Sequence, residues 1–193
     1  MNLTKRQQQI VEAAMSLIAQ KGIQGLTIKN ISLMVGISEP AIYRHFKSKT
    51  DILLTILDMF IENNKKIFKS DVKKDIQVYQ VIENLFNNFI NTFVEYPDLI
   101  SIIFSEEIFN NDPVFKKKTL TIINGNFEIL KKLIKKGQIN NEINPELDAE
   151  SLATIILGSL RLCVKKWQLS GFNYDLKIKS NILKKNILKL ISN

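Results

Sequence analysis

A polar and basic face is predicted on the segment from Ser38 to Lys47. Ile42 and Phe46 lie one helical turn apart, so they face a core together with Ile31 and Val35. The residues left to project away from that core are Glu39, Pro40, Tyr43, Arg44 and Lys47. A basic face of this kind is suited to contact DNA.

Two short helices joined by a tight turn must position this face. Thr27 can cap the first helix, which Gly36 ends after barely two turns. Ser38 caps the second, with Glu39 at its positive end and Pro40 in the first turn, where a missing N–H costs nothing. This is the helix-turn-helix arrangement, whose second helix enters the major groove.

The charge distribution agrees with a DNA-binding segment. Residues 1–50 hold seven Lys and Arg against two Glu, a net charge of +5, whereas the remaining 143 residues carry +3. Clustered positive charge is what neutralisation of phosphates needs. A membrane-surface role would instead spread the charge along one amphipathic helix with aromatic anchors.

Several other classes of protein are excluded or disfavoured. His45 is the only histidine, which excludes a histidine metal cluster, and Cys163 is the only cysteine, which excludes an intramolecular disulfide. We therefore expect no enzyme, no cofactor and no metal. The Met1 end is polar and no apolar tract approaches the roughly 20 residues that span a bilayer, so we expect a soluble, cytoplasmic protein without a membrane partner.

Apolar residues recur at three- and four-residue steps along nearly the whole chain, which predicts an all-α fold of about nine helices. We expect a helix-turn-helix DNA-binding domain of three helices at 1–50 and a larger helical effector-binding and dimerisation domain at 51–193.

Thr4 is the predicted N-cap of the first helix, and Gly22 follows its last residue, Lys21, as a left-handed stop residue. The apolar face of this helix is Ile10, Ala13, Ala14, Leu17 and Ile18. A fourth, connecting helix starts at Ser48, where Ser-Lys-Thr-Asp resembles a capping box with Asp51 in the position of Glu. Further helices are predicted at 74–95, 98–109, 114–137, 148–169 and 175–191.

Residues 4–58 resemble the DNA-binding region of the tetracycline-repressor (TetR) family of bacterial regulators. The resemblance rests on the run from Thr27 through Ser38 and on the run from Ala41 to Lys49. The sequence Ile-Tyr-Arg-His-Phe followed by Lys-Ser-Lys, over residues 42–49, is its most specific part.

The resemblance implies roles for individual residues. Those that resemble the phosphate-contacting positions of the family are Thr27, Ser38, Tyr43, His45 and Lys49, and those that resemble its base-facing positions are Glu39, Pro40, Ala41 and Arg44. The side-chain chemistry agrees, because hydroxyls and amines suit phosphate oxygens and Arg44 can donate two hydrogen bonds to guanine. Glu39 can accept from cytosine or serve only as a favourable charge at a helix N-terminus. Tyr43 can alternatively be a packed aromatic residue.

The last two predicted helices are candidates for a dimer interface. The first carries an apolar face from Leu152 to Trp167 that is too wide for one contact, and Gly158 allows close approach. The partner stripe on the last helix is Ile178, Ile182, Leu183, Ile187, Leu190 and Ile191. An ordinary intramolecular core is the alternative. The resemblance favours a homodimer, because the final two helices of each subunit form a four-helix bundle in that family.

Aromatic residues are dense between residues 86 and 127, where they can line an apolar pocket or simply pack the core. The predicted ligand-binding residues are Phe86, Phe89, Phe93, Phe104, Phe127, Arg161 and Trp167. Arg161 interrupts an apolar helix, so it serves either the dimer interface or an anionic part of a ligand.

The sequence predicts a homodimeric DNA-binding transcriptional regulator, a repressor that a small apolar effector releases from a pseudo-palindromic operator in double-stranded DNA. One alternative is a nucleoid-associated or architectural DNA-binding protein without an effector. An alternative of another class is a helical lipid-carrier module or enzyme with a basic head.

Overall fold

The computed structural model describes residues 3–72, 76–104 and 112–193, except for the side chains of residues 63–72. These described residues form nine α-helices. They are α1 (Lys5–Lys21), α2 (Ile28–Val35), α3 (Glu39–Tyr43), α4 (Lys49–Val72), α5 (Val78–Glu95), α6 (Asp98–Ile103), α7 (Pro113–Ile139), α8 (Ala149–Leu169) and α9 (Leu176–Ile191). The predicted all-α fold is confirmed.

The first compact unit comprises Met1–Asn63 and Tyr96–Thr121. Its centre is α1, which packs against α2 and α6. The predicted apolar face of α1 is buried, with Ile10 and Ala14 fully inaccessible to solvent. The helix ends at Lys21, as predicted, but Gly22 has φ 65° and ψ −175° and is therefore not in the left-handed helical conformation expected for it.

The second compact unit comprises Asn64–Glu95 and Ile122–Asn193. Helix α5 packs against both α8 and α9. One cation lies inside this contact: the Lys184 ammonium donates to Asn87 Oδ1 at 3.0 Å and lies 3.3 Å from Glu83 Oε1. The buried charge is thus both paired and hydrogen-bonded, as a buried lysine requires.

Most helix boundaries after residue 75 follow the sequence prediction, but α5 begins at Val78 rather than at 74 and α6 ends at Ile103. Helices α8 and α9 begin and end within one residue of the predicted limits. Their starts are defined by Asp148 and Asp175, because each of these carboxylates accepts a hydrogen bond from a backbone N–H of the first turn. Residues 105–109 of the helix predicted at 98–109 lie outside the described residues. No helix in the described ranges is long and apolar enough to cross a bilayer.

The proposed domain boundary at residue 50 stays a prediction. The units defined by packing divide the chain differently, because residues 96–121 belong with the first 63 residues. Helices α4 and α7 each begin in the first unit and end in the second.

Asp112 joins the start of α7 to the start of α4 within the first unit. Its Oδ1 accepts hydrogen bonds from the backbone N–H groups of Val114 (3.1 Å) and Phe115 (3.0 Å), and its Oδ2 accepts one from the Thr50 hydroxyl. Burial raises the pKa of Asp112, but these hydrogen bonds outweigh it, so the pKa lies below its ordinary value. The carboxylate form is therefore the stabilising one.

We expect Asp112→Ala to lower the free energy of unfolding at pH 7 by about 1 kcal/mol or more, because a helix cap and a hydrogen bond between helices are lost together. The folded pKa is depressed, so the contribution is present above the unfolded value of about 3.9 and is lost as pH falls through the folded value. Chemical denaturation at pH 7 and in acid measures both effects.

Asp148→Ala is the matched control, because Asp148 caps α8 through Ser151 N at 2.7 Å. The loss at pH 7 should be larger for Asp112 than for this control. Equal losses would show that the Thr50 contact adds nothing to stability.

Candidate nucleic-acid interface

Helix α2 and the turn after it are fixed by local hydrogen bonds. Thr27 Oγ1 accepts from Asn30 N at 3.1 Å, which confirms the predicted N-cap. Gly36 adopts the left-handed conformation, with φ 72° and ψ 38°, and the N–H groups of Gly36 and Ile37 both donate to Ser32 O. A side chain at Gly36 would be strained, so glycine allows the two helices to follow each other this closely.

Burial of Ile42 and Phe46 sets the orientation of α3, whose five residues are too few to be stable alone. Ile42 is 0% and Phe46 3% exposed, and Ile31 of α2 is also fully buried, as predicted. Val35 is only half-buried, so its predicted place in the core is partly wrong. Ser38 occupies the N-cap position, but its hydroxyl makes no capping hydrogen bond, contrary to prediction.

The opposite face of this segment is open to solvent. Tyr43 is 53% exposed, which disfavours the alternative that it is a packed aromatic residue. Ala41 and His45 are half-buried, and the other predicted DNA contacts are exposed, namely Thr27, Ser38, Glu39, Pro40, Tyr43, Arg44, Lys47 and Lys49. The structure therefore brings the polar and basic side chains of the predicted surface to the outside of one small unit.

Reciprocal capping fixes the start of α4. Ser48 Oγ accepts from Asp51 N at 3.1 Å, and Asp51 Oδ2 accepts from Lys47 N at 3.0 Å. The predicted arrangement resembles a capping box, and the structure differs only in that the returning hydrogen bond comes from Lys47 rather than from Ser48. Lys47 and Lys49 are thus held on backbone with a defined conformation.

At the start of α1 the predicted N-cap Thr4 is confirmed, but sequence reasoning overlooked the role of Gln7. Thr4 and Gln7 form a capping box, and the Gln7 side-chain amide also donates to His45 O at 3.4 Å. This contact joins the first turn of α1 to the end of the α3 segment. The Thr-x-x-Gln spacing was the available signal for the cap, but no local pattern predicts its partner 38 residues away.

The predicted ligand-binding residues are distributed over both units. Phe86 and Phe93 are buried in α5, and the rings of Phe89 and Phe93 meet edge to face at 4.9 Å. Phe127 is half-buried in the second unit, and Phe104 is half-buried in the first. The ring contact brings Phe89 and Phe93 together, and the ligand pocket stays a prediction.

Trp167 and Arg161 lie in different surroundings on α8. The Trp167 indole N–H donates to Tyr174 O at 2.9 Å, and its ring packs edge to face on Phe172 at 4.7 Å, which ties α8 to the following loop. Arg161 is exposed rather than buried, so its position does not demand a buried anionic partner. Both remain predictions as ligand contacts.

Described residues of the second unit line surface depressions at two places. One, of about 510 Å³, is lined by Lys131, Lys135, Gln138 and residues 145–150. The other, of about 390 Å³, is lined by Ser159, Leu162, Cys163, Lys166, Tyr174, Lys179 and Leu183. Burial raises the pKa of the Cys163 thiol, which disfavours a reactive thiolate.

Helices α8 and α9 expose apolar side chains along one side each. The exposed residues are Ile155 (52%), Leu162 (61%), Leu169 (75%), Ile178 (62%), Ile182 (53%) and Leu190 (76%). The predicted stripe is partly wrong, because Ile187 (5%) and Ile191 (2%) are buried within the subunit. The wide apolar face of α8 is likewise divided, since Leu152, Ile156 and Leu160 are buried whereas Ile155 is exposed.

Comparison with known proteins identifies both parts of the chain. Residues 10–56 match the model of bacterial regulatory proteins of the tetR family, and residues 54–191 match that of the YsiA-like protein C-terminal region. The fatty acid metabolism regulator protein of Bacillus subtilis is 25% identical over 177 residues, which are 90% of this chain and 89% of that protein.

Solved structures share the fold. The fatty acid degradation regulator FadR of Bacillus halodurans has a TM-score of 0.82 at 21% identity, with 97% of both chains covered. FadR of Bacillus subtilis, in complex with stearoyl-CoA, has a TM-score of 0.81 at 23% identity, with 94% of this chain and 97% of that chain covered. The two family matches and the helix-turn-helix geometry lead to one conclusion: the chain belongs to the tetR family of bacterial regulatory proteins and is a DNA-binding transcriptional regulator.

Proposed function

We propose that this regulator is a homodimeric repressor that reads a pseudo-palindromic operator and is released from it by a small apolar effector. The observation that carries the proposal is the exposed face of the α3 segment above the buried pair Ile42 and Phe46. If an effector releases the regulator from DNA, the regulator acts while it is bound. A repressor acts in this way, by occupying its operator. DNA is its partner, so we also propose a cytoplasmic location.

The proposed contacts divide into two kinds. Thr27, Ser38, Tyr43, His45, Lys47 and Lys49 bind phosphates and position the segment on the duplex. Arg44 reads a guanine through two hydrogen bonds, and Glu39, Pro40 and Ala41 lie beside the bases. The Thr27 hydroxyl accepts a hydrogen bond from Asn30 N, which leaves its own proton for a phosphate oxygen.

The proposed dimer interface is the exposed apolar side of α8 and α9. A single helix-turn-helix reads few base pairs, so two copies are needed for useful specificity. Ile155, Leu162 and Ile182 are each more than half exposed, and burying such side chains against a second copy would remove their apolar surface from water. Gly158 of α8 is exposed as well, and a Cβ added there would meet no atom of the subunit within 4 Å.

The proposed effector is a long-chain fatty-acyl compound, and acyl-CoA is its first candidate. Two facts support this class: FadR of Bacillus subtilis is in complex with stearoyl-CoA, and phenylalanines crowd α5 of this chain. Phe86, Phe89 and Phe93 are proposed to contact the acyl chain. Arg161 is proposed for its anionic part, with the dimer interface as the competing role.

Base reading is tested by Arg44→Ala, with Lys49→Ala as its counterpart. Arg44→Ala should cost about 1–3 kcal/mol on a specific site selected from random DNA and should relax the preference at one base pair of each half-site. Lys49→Ala should weaken all sequences alike and flatten the dependence of affinity on salt by about one unit per protomer. Parent-like affinity of both variants at matched salt would refute the assigned surface.

Dimerisation is tested by Ile182→Glu, measured by analytical ultracentrifugation. The side chain is 53% exposed, so the subunit should stay folded while the buried charge disrupts the interface. Ile139→Glu is the matched control, because Ile139 is 82% exposed on α7, outside the proposed face. A dimeric Ile182→Glu, or a parent that binds a palindrome tightly as a monomer, would contradict the proposal.

The effector is tested by titrating operator affinity with acyl-CoA molecules of increasing chain length, with free coenzyme A as the control. We expect long chains to raise the operator Kd by about 5- to 150-fold, the usual range of coupling between two ligands. Unchanged affinity across the series would reject the acyl effector. Release that survives Arg161→Ala intact would remove Arg161 from the site.

A further inference from the structure

We propose that the first turn of α1 extends the DNA-contact surface, with Lys5 and Arg6 binding backbone phosphates that flank the bases read by α3. The inference rests on the proposed placement of the α3 segment in the major groove. It adds to the interface two cations that lie outside the helix-turn-helix.

The first observation is the link between α1 and the α3 segment. Gln7 Nε2 donates to His45 O at 3.4 Å, while Gln7 Oε1 accepts from Thr4 N at 3.0 Å. One side chain therefore connects the first turn of α1 to the backbone that leads from Tyr43 to Lys47. Whatever surface the end of the α3 segment approaches, the start of α1 lies beside it.

The second observation is the charge of that turn. Lys5 and Arg6 are both exposed, and the first turn of α1 holds no acidic residue. Two cations at the positive end of a helix are electrostatically unfavourable. Neither forms an ion pair with another residue in the described part of the chain, so none of the described carboxylates neutralises them.

A DNA backbone supplies the missing anion. Lys47 and Lys49 are exposed on the continuation of the same segment, so the start of α1 adds to a surface that is already basic. Arginine and lysine side chains are long enough to reach a phosphate without the helix entering a groove. Contacts of this kind raise affinity for any sequence and carry no base preference.

The test measures operator affinity over a range of salt concentrations for Arg6→Gln and Lys5→Gln. Each substitution should flatten the slope of log K against log salt by about 0.9 per protomer, the value for one phosphate contact, without changing the preferred sequence. Lys21→Gln is the matched control: it removes one exposed cation from the other end of α1, about 24 Å away along the helix. Its slope should equal that of the parent.

The outcomes separate this inference from the interface on which it rests. Slopes unchanged by Arg6→Gln and Lys5→Gln, with a slope flattened by Lys49→Ala, would overturn the extension and leave the helix-turn-helix interface in place. Unchanged slopes in all three would overturn the interface itself. An equal effect of Lys21→Gln would show that only net charge matters, which also overturns the extension.

Discussion

The burial of Ile42 and Phe46 is the constraint on which the proposed DNA-reading surface depends. Helix α3 has five residues and no side-chain cap, so neither length nor local hydrogen bonds can fix its orientation. The two buried side chains and the left-handed turn at Gly36 fix it instead. Arg44 and Tyr43 face outward because their neighbours face inward, and the contact surface is thus a consequence of the core.

Local patterns predicted the elements and their ends well. Thr27 and Gly36 bound α2 as expected because capping and left-handed turns depend on a few consecutive residues. The pairing of Gln7 with His45 joins residues 38 apart and was not predictable, since periodicity gives the buried face of a helix but not its neighbours. Val35 and Ile187 show the same limit: both are apolar and in register, and only packing decides that one is half-exposed and the other buried.

The division between buried core and exposed apolar side chains on α8 and α9 shows why the proposed dimer surface was harder to define than the proposed DNA surface. Both helices are apolar over more than one face, so the sequence marks too many candidates. Ile187 and Ile156 are used within the subunit, which leaves Ile155 and Ile182 exposed. A charge at Ile187 would damage folding as well as assembly, and Ile182 is therefore the site at which assembly can be tested separately.

Within the first unit, helix α4 connects the segment after α3 to the start of α7. It begins at Lys49, directly after the reading segment, and its first turn is held by Asp51 on one side and by Asp112 on the other. Two turns further, Asp58 pairs with Lys118 of α7 at 2.7 Å. The start of α7 is thus braced along α4, and α7 continues into the second unit. A displacement of α7 would therefore be transmitted to the start of α4 through these contacts, because an effector acts through the interactions that differ between two states.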